Sequence, residues 1–377
     1  MSLSTLPHAQ AMEHAAGFSV VDPLTEPSWD RRLSAHPDAT VFHTSAWAEL
    51  LQRSYGFSAH YLVRETQGEL VGLLALMEAR SLLGQRRGIA LPFTDSCPLL
   101  APSGEPSVDW SAVGHEGPAE PSTVSGGLLR QARRLGLARR WHRIEFRPRP
   151  RPAAEATASV RFLAHEVTLA ASDEAQRSLC LPATRRTLRQ AQSGPLRLTV
   201  GTDLSLVRAY YQLHCQTRRR QGAPPQPYGF FVRLQRLILA RDLGYVVLAT
   251  ETGAPVAGAV FLRFGPRAVY KFGASEAARQ ALRPNQLVMW TGLRHAAGLG
   301  CTSLDLGRTS EGNEGLCRYK RGWGAVESHL AYHSYDPQTG RRFLLPDQTQ
   351  GWQSRWFRRL PQWAGRLIGT LAYRFAA

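Results

Sequence analysis

Of the 46 basic residues in this chain of 377, only two are lysine, Lys271 and Lys320, and the other 44 are arginine. Where arginine is the default cation, a retained lysine marks a place where a compact ammonium with rotatable donors does what a planar guanidinium cannot. Lys320 lies in DLGRTSEGNEGLCRYKRGWGA (305–325), where five glycines alternate with Asp305, Arg308, Tyr319, Lys320, Arg321 and Trp323. A glycine-rich loop lets backbone amides approach an anionic or acyl ligand. A lysine beside it can polarise a carbonyl oxygen. Lys271 lies in VYKFGAS, read as a central strand running into a turn. It suits either a structural ion pair or a substrate-lining position.

A second cationic cluster sits in HCQTRRRQGAPPQPYGFF (214–231), with Arg218, Arg219 and Arg220 leading into Tyr228, Phe230 and Phe231. Bidentate arginines there could bind phosphate. Equally, they could be favourable charges at a helix C-terminus. The chain has no GxGxxG after a strand, no P-loop, no HExxH and no GxSxG. His142, His165, His214, His295, His329 and His333 lack ligand spacing, and the five cysteines are scattered without CxxC pairs, so no metal site is expected.

The elements that must carry these residues repeat. YLVRETQGELVGLLALMEARSLLGQRRGIALP from Tyr61 and YVVLATETGAPVAGAVFLRFGPRAVYKFGAS from Tyr245 both read as strands joined by glycine-containing turns. Each is preceded by a helical stretch, around 46–53 and 206–219. Each is followed by a helix and a short strand, ending at Ile144-Glu145-Phe146 and Leu304-Asp305-Leu306. The spacing predicts two copies of one α+β unit, 18–165 and 166–345, each a mixed, largely antiparallel sheet flanked by helices. Residues 103–125 and 147–156 read as loops. A tail, 346–377, is of another kind. Trp363, Leu367, Leu371 and Phe375 form one helical face with Arg366 and Arg374 off it, and Trp352, Trp356 and Phe357 sit among Arg355, Arg358 and Arg359. Such a helix suits an anionic membrane interface or docking on its own domain.

The formal charge of +17 raises a polyanion partner, but aromatics do not interleave with the arginines outside the tail. With 43% hydrophobic and 20% charged residues the chain reads as globular. Neither a membrane-spanning apolar run nor a secretory signal is visible, so the expected location is the cytoplasm, at the inner membrane face if the tail binds lipid.

The order of motifs resembles the FemAB-like branch of the GNAT acyltransferase superfamily, and more narrowly proteobacterial FemAB-related proteins associated with exopolysaccharide and exosortase systems. The similar stretches are HTSAWAELLQRSYGF (43–57), GIALPFTDSCPLL (88–100), ATRRTLRQAQ (183–192), HCQTRRRQGAPPQPYGFF, YKFGASEAARQALRPNQLVMW (270–290) and SLDLGRTSEGNEGLCRYKRGWGA. The resemblance implies tandem GNAT-like domains and transfer of an acyl or aminoacyl group to an amine on a cell-envelope or exopolysaccharide precursor. The donor, aminoacyl-tRNA or acyl-CoA, would be a co-substrate. It also implies that Tyr319-Lys320 is the aromatic–lysine pair lining the reacting carbonyl, with Asp305 and Arg308 shaping the loop or binding the acceptor. Tyr270, Lys271, Arg218, Arg220, Phe230, Asn285, Trp290 and Trp323 would line the substrate site. ARQALRPNQL lacks the glycines of the GNAT pyrophosphate loop, so coenzyme A is not expected in the usual mode. Two other readings stand beside this one: a non-catalytic GNAT pair serving as a membrane scaffold, and a tRNA or nucleic-acid binder.

Overall fold

The computed structural model describes residues 17–347, except 107, 109 and 111–122, and residues 357–375. Trp352, Arg355 and Trp356 of the tail lie outside the described residues, as does much of the 103–125 loop.

Each half begins with a strand and a helical stretch and then folds a meander. In the first half the elements are β1 (Phe18–Val21), α1 (Trp29–Ser34), α2 (Ser45–Tyr55), β2 (Ser58–Thr66), β3 (Glu69–Arg80), β4 (Arg86–Ile89), α3 (Val124–Ala138), β5 (Arg143–Phe146) and β6 (Val160–Thr168). Two short helices, α4 (Asp173–Leu179) and α5 (Pro182–Gln192), lead into the second half. There the order is β7 (Arg197–Gly201), α6 (Leu204–Gln221), α7 (Tyr228–Leu237), β8 (Gly244–Glu251), β9 (Ala254–Phe264), β10 (Arg267–Ser275), α8 (Pro284–Gly298), β11 (Ser303–Thr309), α9 (Glu314–Gly322) and β12 (Val326–Tyr335). The tail supplies α10 (Gln362–Ala372).

Local chemistry sets several boundaries. Thr44 caps α2 by accepting from the Trp47 amide, and Gly56 ends it in the left-handed region. Gly222 ends α6 in the same way, just after the arginine run. Pro284 opens α8, where its missing N–H costs nothing. Gly292 lets α8 lie directly on β9, since a Cβ there would come 2.0 Å from the Phe261 ring.

The two units share a single twelve-stranded sheet in the order β1-β2-β3-β4-β5-β12-β6-β11-β10-β9-β8-β7. The joint is an exchange of last strands. The sixth strand of the first half, β6, pairs with β11, and β12 runs antiparallel to β6 over Val326–Tyr332 and then to β5 over His333–Tyr335. The division expected near residue 165 therefore falls inside β6, whose partners are strands of the second half. One hydrophobic core also spans both halves, with Tyr55 of α2 stacked on Phe230 of α7 at 5.7 Å.

The 305–325 segment is not the glycine-rich loop expected from sequence. It is strand, turn and helix, with Asn313 capping α9 by accepting from the Leu316 amide, so Lys320 stands on a helix.

Candidate active site

In each half the fourth and fifth strands are parallel and paired only briefly. β4 and β5 pair over Arg87–Ile89 and Arg143–Glu145, and β10 and β11 over Arg267–Val269 and Ser303–Asp305. Beyond Val269 and Asp305 the ladder stops although both strands continue. At that point both strands also change register against their other neighbours: β10 between Tyr270 and Phe272, β11 between Asp305 and Arg308. A bulge re-aims side chains and frees backbone groups from the ladder. Lys271 occupies one bulge and Gly307 the other.

Gly307 has φ +75°, and a Cβ there would sit 2.6 Å from Oδ2 of Asp95. Its amide donates to Oδ1 of Asp305 at 2.7 Å. Its carbonyl accepts from Lys320 Nζ at 2.6 Å, and the Arg308 carbonyl accepts from the same ammonium at 3.3 Å. Lys320 is 5% exposed. Burial lowers its pKa to about 8, against the opposing pull of Asp95 and Asp305. Asp305 moves the other way, raised to about 6 by burial and by the Asp95 charge, with the Gly307 amide and Lys320 opposing. Between these values the carboxylate and the ammonium are both charged. Below them the carboxyl is neutral, and above them the amine is.

The first half contributes the loop of the 88–100 stretch, whose Asp95 was not among the residues nominated from sequence. Leu91 and Phe93 adopt left-handed φ values of 53° and 61°, a strained conformation for such residues. Arg147 holds the loop in that shape by donating to the carbonyls of Leu91 at 3.3 Å and Thr94 at 2.8 Å, and Glu145 in turn anchors Arg147 at 2.7 Å. Asp95 then accepts from the Arg308 amide at 3.3 Å, with the Arg308 guanidinium 3.5 Å away. Tyr332 Oη bridges the halves, donating to the Asp95 carbonyl at 2.7 Å and accepting from Arg308 at 2.9 Å. Burial pushes the Asp95 carboxyl up, but Lys271 and Arg308 outweigh it and hold the group below its ordinary value. Lys271 donates to the Phe93 carbonyl and lies 5.3–5.8 Å from the rings of Phe42, Trp47 and Phe272. Burial lowers its pKa, with Asp95 partly restoring it. The available signal for Asp95 was GIALPFTDSCPLL itself, an acidic residue in a proline-flanked loop after an apolar strand.

Of the residues nominated from sequence, Asp305, Arg308, Lys271 and Lys320 converge on the bulges. Tyr319, next to Lys320, is half-buried and donates to the Asn285 carbonyl at 3.4 Å, while the half-buried Tyr270 has its hydroxyl pushed up to about 12 by desolvation. Asn285 reaches Ser275 Oγ at 3.5 Å, and Arg220 donates to the Ser275 carbonyl at 3.1 Å, so these two sit at the end of β10. The other nominees pack elsewhere. Phe230 is core between the halves, and Trp323 is fully buried edge-on to Tyr319. Trp290 lies under Arg177 at 4.4 Å, and Arg218 donates to the Pro224 carbonyl and to Tyr373 of the tail helix. The structure also gathers His165, Cys317 and Glu327, with their candidate ligand atoms within 4.8 Å. Glu327 already forms an ion pair with Arg321 and a hydrogen bond with His165, both at 3.0 Å, so its carboxylate is engaged as it stands.

A buried ammonium at a strand bulge can polarise a carbonyl, and an ionised carboxylate of raised pKa beside it can take a proton from an attacking amine. Residues 182–321 match the family model of the acetyltransferase (GNAT) domain. Among solved structures the chain is similar to FemX, at 13% identity with a TM-score of 0.63, covering 83% of this chain and 96% of that one. It is also similar to a tandem GNAT protein from the clavulanic acid biosynthesis pathway, at 12% identity with a TM-score of 0.52, covering 85% and 98%. No curated protein sequence matches the chain. The second half therefore carries an acetyltransferase (GNAT) domain, and the chain as a whole has the fold of these structures. The tandem arrangement is similar to that of FemX and of the tandem GNAT protein.

Proposed function

We propose that this protein transfers an acyl or aminoacyl group to an amine on a cell-envelope or exopolysaccharide precursor presented at the inner membrane face. The carrying observation is Lys320, the buried ammonium directed at the β11 bulge between Asp95 and Asp305. In this reading Lys320 donates to the donor's carbonyl oxygen and stabilises the oxyanion as the amine nitrogen forms its bond to carbon. Asp305, ionised above about 6, takes the proton that the amine loses. Collapse of the tetrahedral intermediate breaks the bond to the carrier, a thiol for coenzyme A or a ribose hydroxyl for tRNA, and the carrier leaves with a proton. Asp95 and Arg308 set the width of the bulge, and Lys271 lines it near Phe93.

Residues 277–282 form a short 3-10 turn and Arg283 a left-handed step before α8, without the glycines that would open a pyrophosphate loop. That feature favours an aminoacyl-tRNA over an acyl-CoA donor, and the FemAB-like fold is in keeping with it. The test is to incubate the protein with each donor and an extract of envelope precursors, and to look for a mass-shifted product. An aminoacylated amine is expected. No product from either donor would overturn the reading.

A further inference from the structure

The tail helix α10 packs in an unusual sense. Its glycine face is turned inward: a Cβ at Gly369 would come 2.0 Å from the Pro225 carbonyl oxygen, and Gly365 also faces Pro225. Tyr373 completes that buried face, donating to the Pro224 carbonyl at 3.1 Å and stacking near Tyr55 and Phe93. The apolar stripe points outward, with Trp363 69%, Leu367 55% and Leu371 60% exposed. A helix that only docked on its own domain would bury those three residues and expose the glycines.

A second element brings apolar side chains to the same edge. The turn joining β3 to β4 closes with Ser81 accepting from the Gly84 amide at 2.9 Å, and holds Leu82 and Leu83 at its tip, 78% and 86% exposed. The base of this hairpin touches the end of α10, because Arg87 donates to the Phe375 carbonyl at 3.1 Å. Both elements carry exposed arginines: Arg80 and Arg86 on the hairpin, Arg358, Arg359, Arg366 and Arg374 on the tail. No acidic residue follows Asp347 in the sequence, and none lies between Glu78 and Asp95.

We propose that the hairpin tip and the outer face of α10 form one two-point docking surface for a bilayer containing anionic lipid. Leu82, Leu83, Trp363, Leu367 and Leu371 enter the headgroup–acyl boundary, and the arginines pair with lipid phosphates. Charge selects this occupant, since two like-charged copies of so basic a face would repel each other. Tyr373 touches Phe93, whose carbonyl holds Lys271, so the docking surface and the bulges share one loop. Docking on lipid does not depend on the transfer chemistry and is read without substrate.

The test is cosedimentation of the full chain with phosphatidylglycerol–phosphatidylethanolamine vesicles, and with phosphatidylcholine vesicles as the neutral comparison. Binding to the anionic vesicles is expected. It should weaken at least about tenfold in Leu82→Ser/Leu83→Ser and again in Leu367→Gln/Leu371→Gln, given the apolar area each pair would bury. All four side chains are exposed, and an unchanged melting curve checks that the variants fold. No binding to anionic vesicles overturns the proposal, as does binding that neither pair weakens. A dimer in light scattering that Leu367→Gln/Leu371→Gln dissociates would also overturn it, making the stripe a self-association face.

Discussion

Lys320 and Asp305 are shifted toward each other, and in the proposed transfer this sets the pH dependence. Asp305 has to be ionised to accept a proton, and its carboxyl is raised to about 6. Lys320 has to be protonated to donate to an oxyanion, and its ammonium is lowered to about 8. Activity measured as kcat/KM is therefore expected to rise through about 6, to hold between, and to fall through about 8. Asp305→Asn should remove the acidic limb and lower the rate roughly 10²–10⁴-fold. An unchanged acidic limb in that variant would separate Asp305 from the proton transfer. The two lysines stood out in the sequence because arginine replaces lysine everywhere else. Asp95 did not stand out, because its partner Arg308 lies 213 residues away and nothing local marks the contact.

At the scale of the element, the two bulges do the positioning, and neither is visible as such in the sequence. Glycines, Asp305 and Lys320 in one segment read naturally as a ligand loop. The segment instead closes a strand, turns at Asn313 and opens a helix, which tolerates Gly315 because capping and packing offset its weak propensity. Two of its glycines use their freedom in full: Gly307, at φ +75° against Asp95, and Gly324, at φ +78° against the Leu179 carbonyl. Gly307→Ala is expected to destabilise the fold by about 1–2 kcal/mol for the left-handed backbone alone, measured by urea denaturation. It should also lower transfer activity, since the displaced carbonyl is the one that holds Lys320. A variant as stable and active as the parent would show that the bulge is not needed. The hairpins themselves were legible, because alternation and glycine turns are local signals.

For the molecule as a whole, the duplication was legible from the repeated order of elements, but the way the copies join was not. Pairing of β5 with β12 and of β6 with β11 depends on long-range contacts that leave no trace in either strand's own pattern. With β12 bridging the two half-sheets and a core shared through Tyr55 and Phe230, the halves are expected to unfold together. Calorimetry should give one transition with matching calorimetric and van't Hoff enthalpies. Two separated transitions would mean that the exchanged strands do not couple the halves. The tail was readable as an amphipathic helix, yet the face it buries is the glycine face rather than the apolar one. That follows from the close approach to Pro224 and Pro225, which only glycines permit.

The proposed transfer depends most heavily on Lys320, and a single-turnover comparison tests that dependence directly. With the donor and acceptor that give product, the parent, Lys320→Arg and Lys320→Met are followed by product mass, with melting curves to check folding. Transfer is expected to slow roughly 10²–10³-fold in Lys320→Met, the usual loss when one oxyanion donor is removed, with little rescue by arginine because the bulge is built around a compact ammonium. An unchanged rate in folded Lys320→Met would show that Lys320 does not stabilise the oxyanion.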